Sequence, residues 1–185
     1  MGNLSTFFPA PTSSNVLEQV VYYADGKTIS TSAGNFTAPN ITAITGVTSN
    51  SFIDSPGTNI DYTPPADATK VIYEAFIHCR YYNDTHMSPS WYVELDGTQI
   101  TQTKRTELQQ YTYEMVLNSL AVIDINGTDS VATGQLASWT SAKTIKTKIC
   151  CYNSSYQFYV NGVHHYAGSA PNLITPPMMK ITAIK

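Results

Sequence analysis

The longest strand-like run lies at Lys70–Tyr82, KVIYEAFIHCRYY, where valine, isoleucine, tyrosine and phenylalanine dominate and suit a pleated, half-buried surface. Val71, Tyr73, Ala75, Ile77 and Cys79 share one face at a period of two, while Glu74, His78 and Arg80 carry polar chemistry on the other. Ile72 and Phe76 interrupt the polar face, so the pattern predicts a central strand whose second side is also covered at its start. The double proline of Thr63-Pro64-Pro65 stops the preceding segment and fixes the entry into this one. A second strict alternation runs over Lys143–Tyr152. Ile145, Thr147, Ile149 and Cys151 form one face, and Thr144, Lys146, Lys148 and Cys150 the other.

Shorter runs fill the rest of the chain. Leu17–Ala24 reads as a strand, turned by Asp25-Gly26 into Lys27–Thr31. Ile41–Val47 and Ser49–Asp54 follow, then a Pro56-Gly57 turn and Asn59–Tyr62. Ser90–Leu95 pairs with Gln99–Thr103 across Asp96-Gly97, the clearest hairpin signal in the chain. Gln109–Asn118 and Leu120–Ile125 are predicted as separate strands, the second ended by Asn126-Gly127. Tyr156–Val160 is predicted to turn at Asn161-Gly162 into Val163–Tyr166, and Met178–Ile184 closes the chain. No helical periodicity longer than about two turns is present. Many short strands at such spacing predict an all-β, antiparallel jelly-roll sandwich over residues 16–185. Residues 1–15 are expected to be a short extended N-terminal arm and linker.

Composition narrows the function classes. Charged residues make up 12% of the 185 positions, against about 25% in ordinary globular domains. Tyrosine occurs 13 times, and a tyrosine-rich, lysine-poor surface is the composition of protein–protein contacts. The net charge is −3 and no window carries a run of Lys or Arg, which argues against nucleic acid. No apolar run is long enough to span a membrane. The first residues lack the basic start and apolar core of a secretory signal, so the sequons at Asn3, Asn35, Asn40, Asn83, Asn126 and Asn153 read as products of Asn/Thr-rich composition. In a reducing cytosol the three cysteines are expected as buried thiols, with a Cys79–Cys151 bridge as the alternative if their strands are neighbours. No Cys-x-x-Cys or His-x-x-x-His spacing accompanies them, so no metal and no cofactor is expected.

Candidate chemistry is sparse. Glu74 and His78 are expected to pair on their strand face. Asp84 and His86 share a loop that could hold a polar ligand, or a metal if further ligands joined them, and His164 and His165 follow a turn. No Gly-x-Ser-x-Gly and no phosphate-binding glycine loop occurs. The carboxylates lie beside turns or on polar strand faces, where water solvates them, and Lys104-Arg105 reads as a rim charge. Trp91, Tyr92, Trp139 and the tyrosines suit core and subunit contacts, with a carbohydrate-stacking platform as the alternative. Leu4, Phe7, Phe8 and Pro9 form an apolar plug on the arm. Each phenylalanine gains about 1.5–3 kcal/mol on burial, in its own domain or in a partner.

Several stretches together resemble a group of virion structural proteins of marine phages and large DNA viruses of algae. They are Asn59–Pro65 (NIDYTPP) with Lys70–Glu74 (KVIYE), Asn83-Asp84-Thr85-His86 ahead of Trp91, and Lys104-Arg105. Ser138-Trp139-Thr140, Lys143–Lys146, Lys180–Ile184 and the Asn-Leu-Ser-Thr-Phe-Phe-Pro arm complete the set. Cys150-Cys151 and His164-His165 are not part of that pattern. The resemblance implies a small jelly roll, often trimeric, displayed on or built into a viral particle, and it carries no catalytic residues. The expectation is a non-enzymatic capsid decoration, minor capsid or fibre component in the virion, made in the host cytoplasm. Its partners would be copies of itself in a homotrimer and other virion proteins, held through Leu4, Phe7, Phe8 and Pro9. The alternative is a carbohydrate- or receptor-binding module that meets a host surface glycan through Asn83, Asp84, His86 and Trp91. A hydrolase would need two carboxylates converging in a cleft.

Overall fold

The computed structural model describes residues 15–81, 87–107, 114–125, 127, 129–163 and 173–185. In chain order the strands are β1 (Val16–Tyr23), β2 (Thr28–Thr31), β3 (Gly34–Thr37), β4 (Thr45–Val47), β5 (Ile53–Asp54), β6 (Ile60–Tyr62), β7 (Lys70–Tyr81) and β8 (Pro89–Leu95). They continue as β9 (Thr98–Gln99), β10 (Arg105–Thr106), β11 (Glu114–Ile125), β12 (Gln135–Leu136), β13 (Lys143–Cys151), β14 (Phe158–Val160), β15 (Gly162–Val163), β16 (Leu173–Ile174) and β17 (Met178–Ile184). The class is all-β, as the alternation predicts.

Two sheets pack face to face. The larger, seven-stranded sheet runs β1-β17-β7-β11-β12, with β14 sharing an edge of β7 and β4 beyond it. The smaller, six-stranded sheet runs β10-β8-β13-β5, with β6 on β13 and β9 on β8. The long strands β7, β8, β11, β13 and β17 fall alternately in the larger and smaller sheet, ending in the larger. β2-β3 and β15-β16 form separate two-stranded ribbons.

The core lies between the sheets. Val71, Tyr73, Ala75, Ile77 and Cys79 are all buried there, facing Ile145, Thr147, Ile149 and Cys151 of β13. At its centre is a polar network that the sequence pattern did not reveal. The Tyr73 hydroxyl donates to the Thr58 carbonyl at 2.8 Å and meets Thr147 Oγ1 at 3.1 Å. Thr147 Oγ1 in turn donates to Ser119 Oγ at 2.9 Å, and the Thr147 amide donates to Thr58 Oγ1 at 3.1 Å. Each buried hydroxyl finds a partner there, which avoids the cost of leaving it dry and unpaired. These bonds join β7, β11 and β13 across the core. They also explain a misread boundary. Ser119 looks like a break between two strands, yet β11 runs unbroken through it because the hydroxyl points into this network. The predicted start of that segment at Gln109 lies outside the described residues.

The three predicted hairpin turns separate into one that holds and two that differ. At Asp96-Gly97 both residues have positive φ, 46° and 81°, which a two-residue type I′ hairpin requires, and β8 pairs with β9 across it. Beyond Gln99 the predicted strand gives way to a 3-10 turn at Thr101–Thr103. Asp25-Gly26 has positive φ at Gly26 alone, and it makes no hairpin. β1 pairs instead with β17, and β2 turns back on β3. Asn161-Gly162 has positive φ at Asn161 alone, and β15 pairs with β16 rather than returning along β14. Neither Asp25-Gly26 nor Asn161-Gly162 places both residues in the left-handed backbone of a type I′ hairpin. The described parts of the predicted Ile41–Val47 and Ser49–Asp54 strands shrink to β4 and β5.

Pro56-Gly57 turns as expected. Gly57 has φ +85°, and a Cβ there would lie 2.8–2.9 Å from Ile41, Ala24 and Pro177. Cys79, Cys150 and Cys151 are free and buried. Burial pushes the Cys151 thiol up to about 11, and its Sγ donates to the Val47 carbonyl.

Candidate functional site

Three surfaces stand out once the sheets are in place. The first is a cleft of about 560 Å³ at one end of the sandwich. The double proline brings Thr63, Pro64, Pro65, Ala66 and Ala68 to one wall, the β2–β3 turn supplies Ser32 and Ala33, and Ile125, Ser138, Trp139 and Thr140 complete the lining. Two stretches 70-odd positions apart, Thr63-Pro64-Pro65 and Ser138-Trp139-Thr140, thus form a single site. The Trp139 indole N–H donates to the Tyr62 carbonyl at 3.0 Å, and the two rings meet edge to face at 6.1 Å. Tyr62 donates its hydroxyl to Glu18 Oε2 at 2.7 Å, and the other Glu18 oxygen accepts the Ser32 amide. Burial, then the Glu18 contact, raises the Tyr62 hydroxyl well above the ordinary tyrosine value, so it stays a donor. Glu18 therefore braces both walls. The lining itself carries apolar groups and hydroxyls and no ionisable side chain.

The second surface is the outer face of the larger sheet. Cross-strand register sets Val122 beside Ile72, Leu120 beside Glu74, and Glu74 beside Lys180 and then Val21. The next row runs Asn118, Phe76, Met178 and Tyr23. Val21, Tyr23, Val116, Leu120 and Val122 remain 40–56% exposed. The cover expected on the second side of β7 is thus not found among the described residues; Ile72 and Phe76 are only half-buried. Exposed apolar side chains on β1 and β11 thus flank the Glu74–Lys180 pair, which makes this face a candidate contact surface. Its few charges are paired. Lys180 Nζ meets Glu74 Oε2 at 2.7 Å, and Lys70 meets Asp124 at 3.0 Å.

The third surface, the outer face of the smaller sheet, is its opposite in character. Asp54 receives Lys148 at 2.6 Å and Lys146 at 3.0 Å, Glu94 lies 3.3 Å from Lys146, and Lys143 pairs with Asp96 at 2.9 Å. The hydrogen bond from Lys148, with that from Lys146, holds the Asp54 carboxyl below its usual value. Such a lattice of partly exposed ion pairs suits solvent.

The predicted residues distribute as follows. Leu4, Phe7, Phe8 and Pro9, together with Asn83, Asp84, His86, His164 and His165, lie outside the described residues. Trp91 is described. It sits on the inner face of β8 in the core cluster and is 6% exposed, so its ring presents no open stacking face. Trp139 is equally buried. The expected Glu74–His78 pair does not form. Residues four apart along a strand are about 13 Å apart, whereas Lys180 stands directly opposite Glu74 and takes it. Lys104 and Arg105 are exposed at a rim, with Lys104 over the Phe52 ring at 5.7 Å. Glu18, Ser32 and Ile125 were missed by sequence reasoning; only the Glu18 bonds to Ser32 and Tyr62 and the place of β11 beside β7 bring them to one cleft. Among the described residues no group of three or more His, Cys, Asp or Glu could hold a metal ion, and no helix is long and apolar enough to cross a membrane. No protein-family model matches this chain, and no curated protein sequence matches it.

Proposed function

We propose that this chain is a non-enzymatic structural subunit of a viral particle: a capsid decoration, minor capsid or fibre component. It associates with copies of itself as a homotrimer through the outer face of the larger sheet, and attaches to the particle through residues 1–15. The observation that carries the reading is the contrast between the two outer faces. One is an ion-paired lattice, and the other leaves Val21, Tyr23, Val116, Leu120 and Val122 in water. A sheet face with that composition gains by meeting another protein surface, since each apolar side chain removed from water contributes to association.

The sequence resemblance supports the viral context and the jelly-roll winding, and the alternation of long strands between the sheets agrees with that winding. Chemistry in the cleft has little support, because its lining supplies no acid, base or nucleophile activated by a neighbouring base. Sedimentation velocity on the full chain tests the assembly directly. Three copies of the 20.3 kDa chain are expected in one species at micromolar concentration. A monomer throughout that range would remove the support that the exposed face gives.

A further inference from the structure

For most of its length the larger sheet ends on β11, because β12 pairs only with Asp124 and Ile125. The odd-numbered residues of β11 bond toward β7, as the Ile125 amide does to the Thr69 carbonyl. The Asp124 amide turns the other way and donates to the Gly134 carbonyl. In an antiparallel ladder this alternation holds along the strand, so Val116, Asn118, Leu120 and Val122 direct their backbone N–H and C=O groups away from β7. Gly134 lies against the Val122 carbonyl. Among the described residues nothing bonds to the outward backbone groups of Val116, Asn118 and Leu120. A cavity of about 190 Å³ opens beside Asn118 and Leu120, with Thr103 and Arg105 in its lining.

Open strand edges in natural proteins are blunted by shortness, charge, proline or a bulge, and the other edges of this sandwich follow that rule. β4, β5, β6, β9 and β10 span two or three residues each, and β10 carries Arg105. The register of β1 shifts between Val16 and Glu18, and Glu18 reaches out to the Ser32 amide. β11 has none of these devices. From Met115 to Ile123 it carries no charge, proline or glycine, and its register with β7 runs without a shift. Its outward positions also complement themselves. A two-fold axis at Asn118 sets Val116 against the partner's Leu120 and Asn118 against the partner's Asn118, each pair exchanging both backbone bonds. Apolar then meets apolar and amide meets amide. An axis at Leu117 sets Glu114 against the partner's Leu120. An axis at Ser119 sets Glu114 against the partner's Asp124, like charge on like, and needs the Val122 carbonyl that Gly134 covers.

We propose that the open edge of β11 is a second contact between copies of this chain, in which two β11 strands pair antiparallel about a two-fold axis at Asn118 and carry the larger sheet across the join. The contact borders the outer face through Val116 and Leu120, yet it does not depend on what that face does: whatever unit the face builds, the edge doubles it. Three bonded residues on each copy make a short contact, so the pairing belongs to the high local concentration of packed copies.

Sedimentation of the full chain, carried from micromolar to several hundred micromolar, should show the mass double relative to the dilute species. Asn118 is exposed, so its substitution leaves urea unfolding little changed. Asn118→Lys opposes two ammonium groups across the axis and Asn118→Asp two carboxylates, and each should weaken the doubling about fivefold. An equimolar mixture of the two variants pairs an ammonium with a carboxylate and should double more tightly than either alone. Amide hydrogen exchange at Val116, Asn118 and Leu120 should slow as the doubled species fills, while Leu117 and Ser119, already bonded to β7, stay slow throughout. No doubling, unchanged doubling in Asn118→Lys, or a mixture no tighter than its components would overturn the proposal. Doubling without slower exchange at those three amides would place the contact elsewhere and overturn it as well. A chain that is monomeric when dilute and still doubles in this way would count against the outer face alone, so the two failures are distinct.

Discussion

Replacing Val21 with glutamate and Leu120 with lysine puts the proposed contact face to a sharp test, because register makes the pair nearly harmless to the isolated subunit. Val21 lies opposite Lys180, and Leu120 lies opposite Glu74. Each introduced charge therefore meets an opposite one across a strand, and such pairs contribute roughly 0.2–1 kcal/mol, which offsets the lost strand preference of valine and leucine. Subunit stability should change by less than about 1 kcal/mol. Association is different. With Val21 53% and Leu120 48% exposed, covering each is worth about 0.7–1.5 kcal/mol, half of a full burial. Charged groups driven into an apolar contact cost several kcal/mol more. The sum exceeds about 2.8 kcal/mol, so the association constant should fall more than about 100-fold. Sedimentation velocity reads the association and urea unfolding the stability. An unchanged oligomer would refute the assignment of the face. A collapse of the unfolding midpoint would refute the reasoning that the charges are accommodated in the subunit.

Three further outcomes follow from the core. Tyr73→Phe removes the hydroxyl that bridges Thr58 and Thr147, and should cost about 1–2 kcal/mol, read as a fall in thermal midpoint of about 2–8 °C for a chain of this size. Gly57→Ala forces a left-handed backbone on a residue with a Cβ and drives that Cβ against Ile41, Ala24 and Pro177; a loss of about 2–4 kcal/mol in urea is expected. Burial raises the Tyr73 hydroxyl above its unfolded value near 10, so the folded state binds a proton that the unfolded state has lost. Its contribution is complete below pH 10 and falls as pH rises beyond it, by about 1.4 kcal/mol per pH unit. Cys79 and Cys151, also raised by burial, add to the same trend from about pH 9 upward. Urea midpoints measured from pH 8 to 11 should stay level and then decline, with a shallower decline in Tyr73→Phe.

The legible part of the fold was what two-residue periodicity can encode. β7, β13 and β17 were readable because inward and outward positions alternate without interruption over most of each strand. Partner choice was not readable, since nothing in Leu17–Ala24 or Met178–Ile184 distinguishes one neighbour from another; β1 and β17 meet because the whole fold brings the chain's two ends together. Turn chemistry was readable at Pro56-Gly57 and at Asp96-Gly97, where both residues adopt left-handed backbone. Asp25-Gly26 and Asn161-Gly162 have the right letters but one such residue each. The cleft was half legible. Thr63-Pro64-Pro65 and Ser138-Trp139-Thr140 stand out in the sequence as separate stretches, while their convergence depends on β6 and β7 standing where Trp139 can bond the Tyr62 carbonyl. The apolar outer face was hidden for a related reason: Ile72 and Phe76 looked covered on one strand, and only the rows across β1, β17, β7 and β11 reveal them as part of an open surface.

The central claim is that this chain is a building part of a viral particle, and the composition of those particles tests it most directly. Quantitative mass spectrometry on particles purified through a density gradient should find the chain at a fixed stoichiometry to the other particle proteins, retained through a salt wash. Its absence from intact particles, with the chain confined to the soluble fraction of infected cells, would contradict the account.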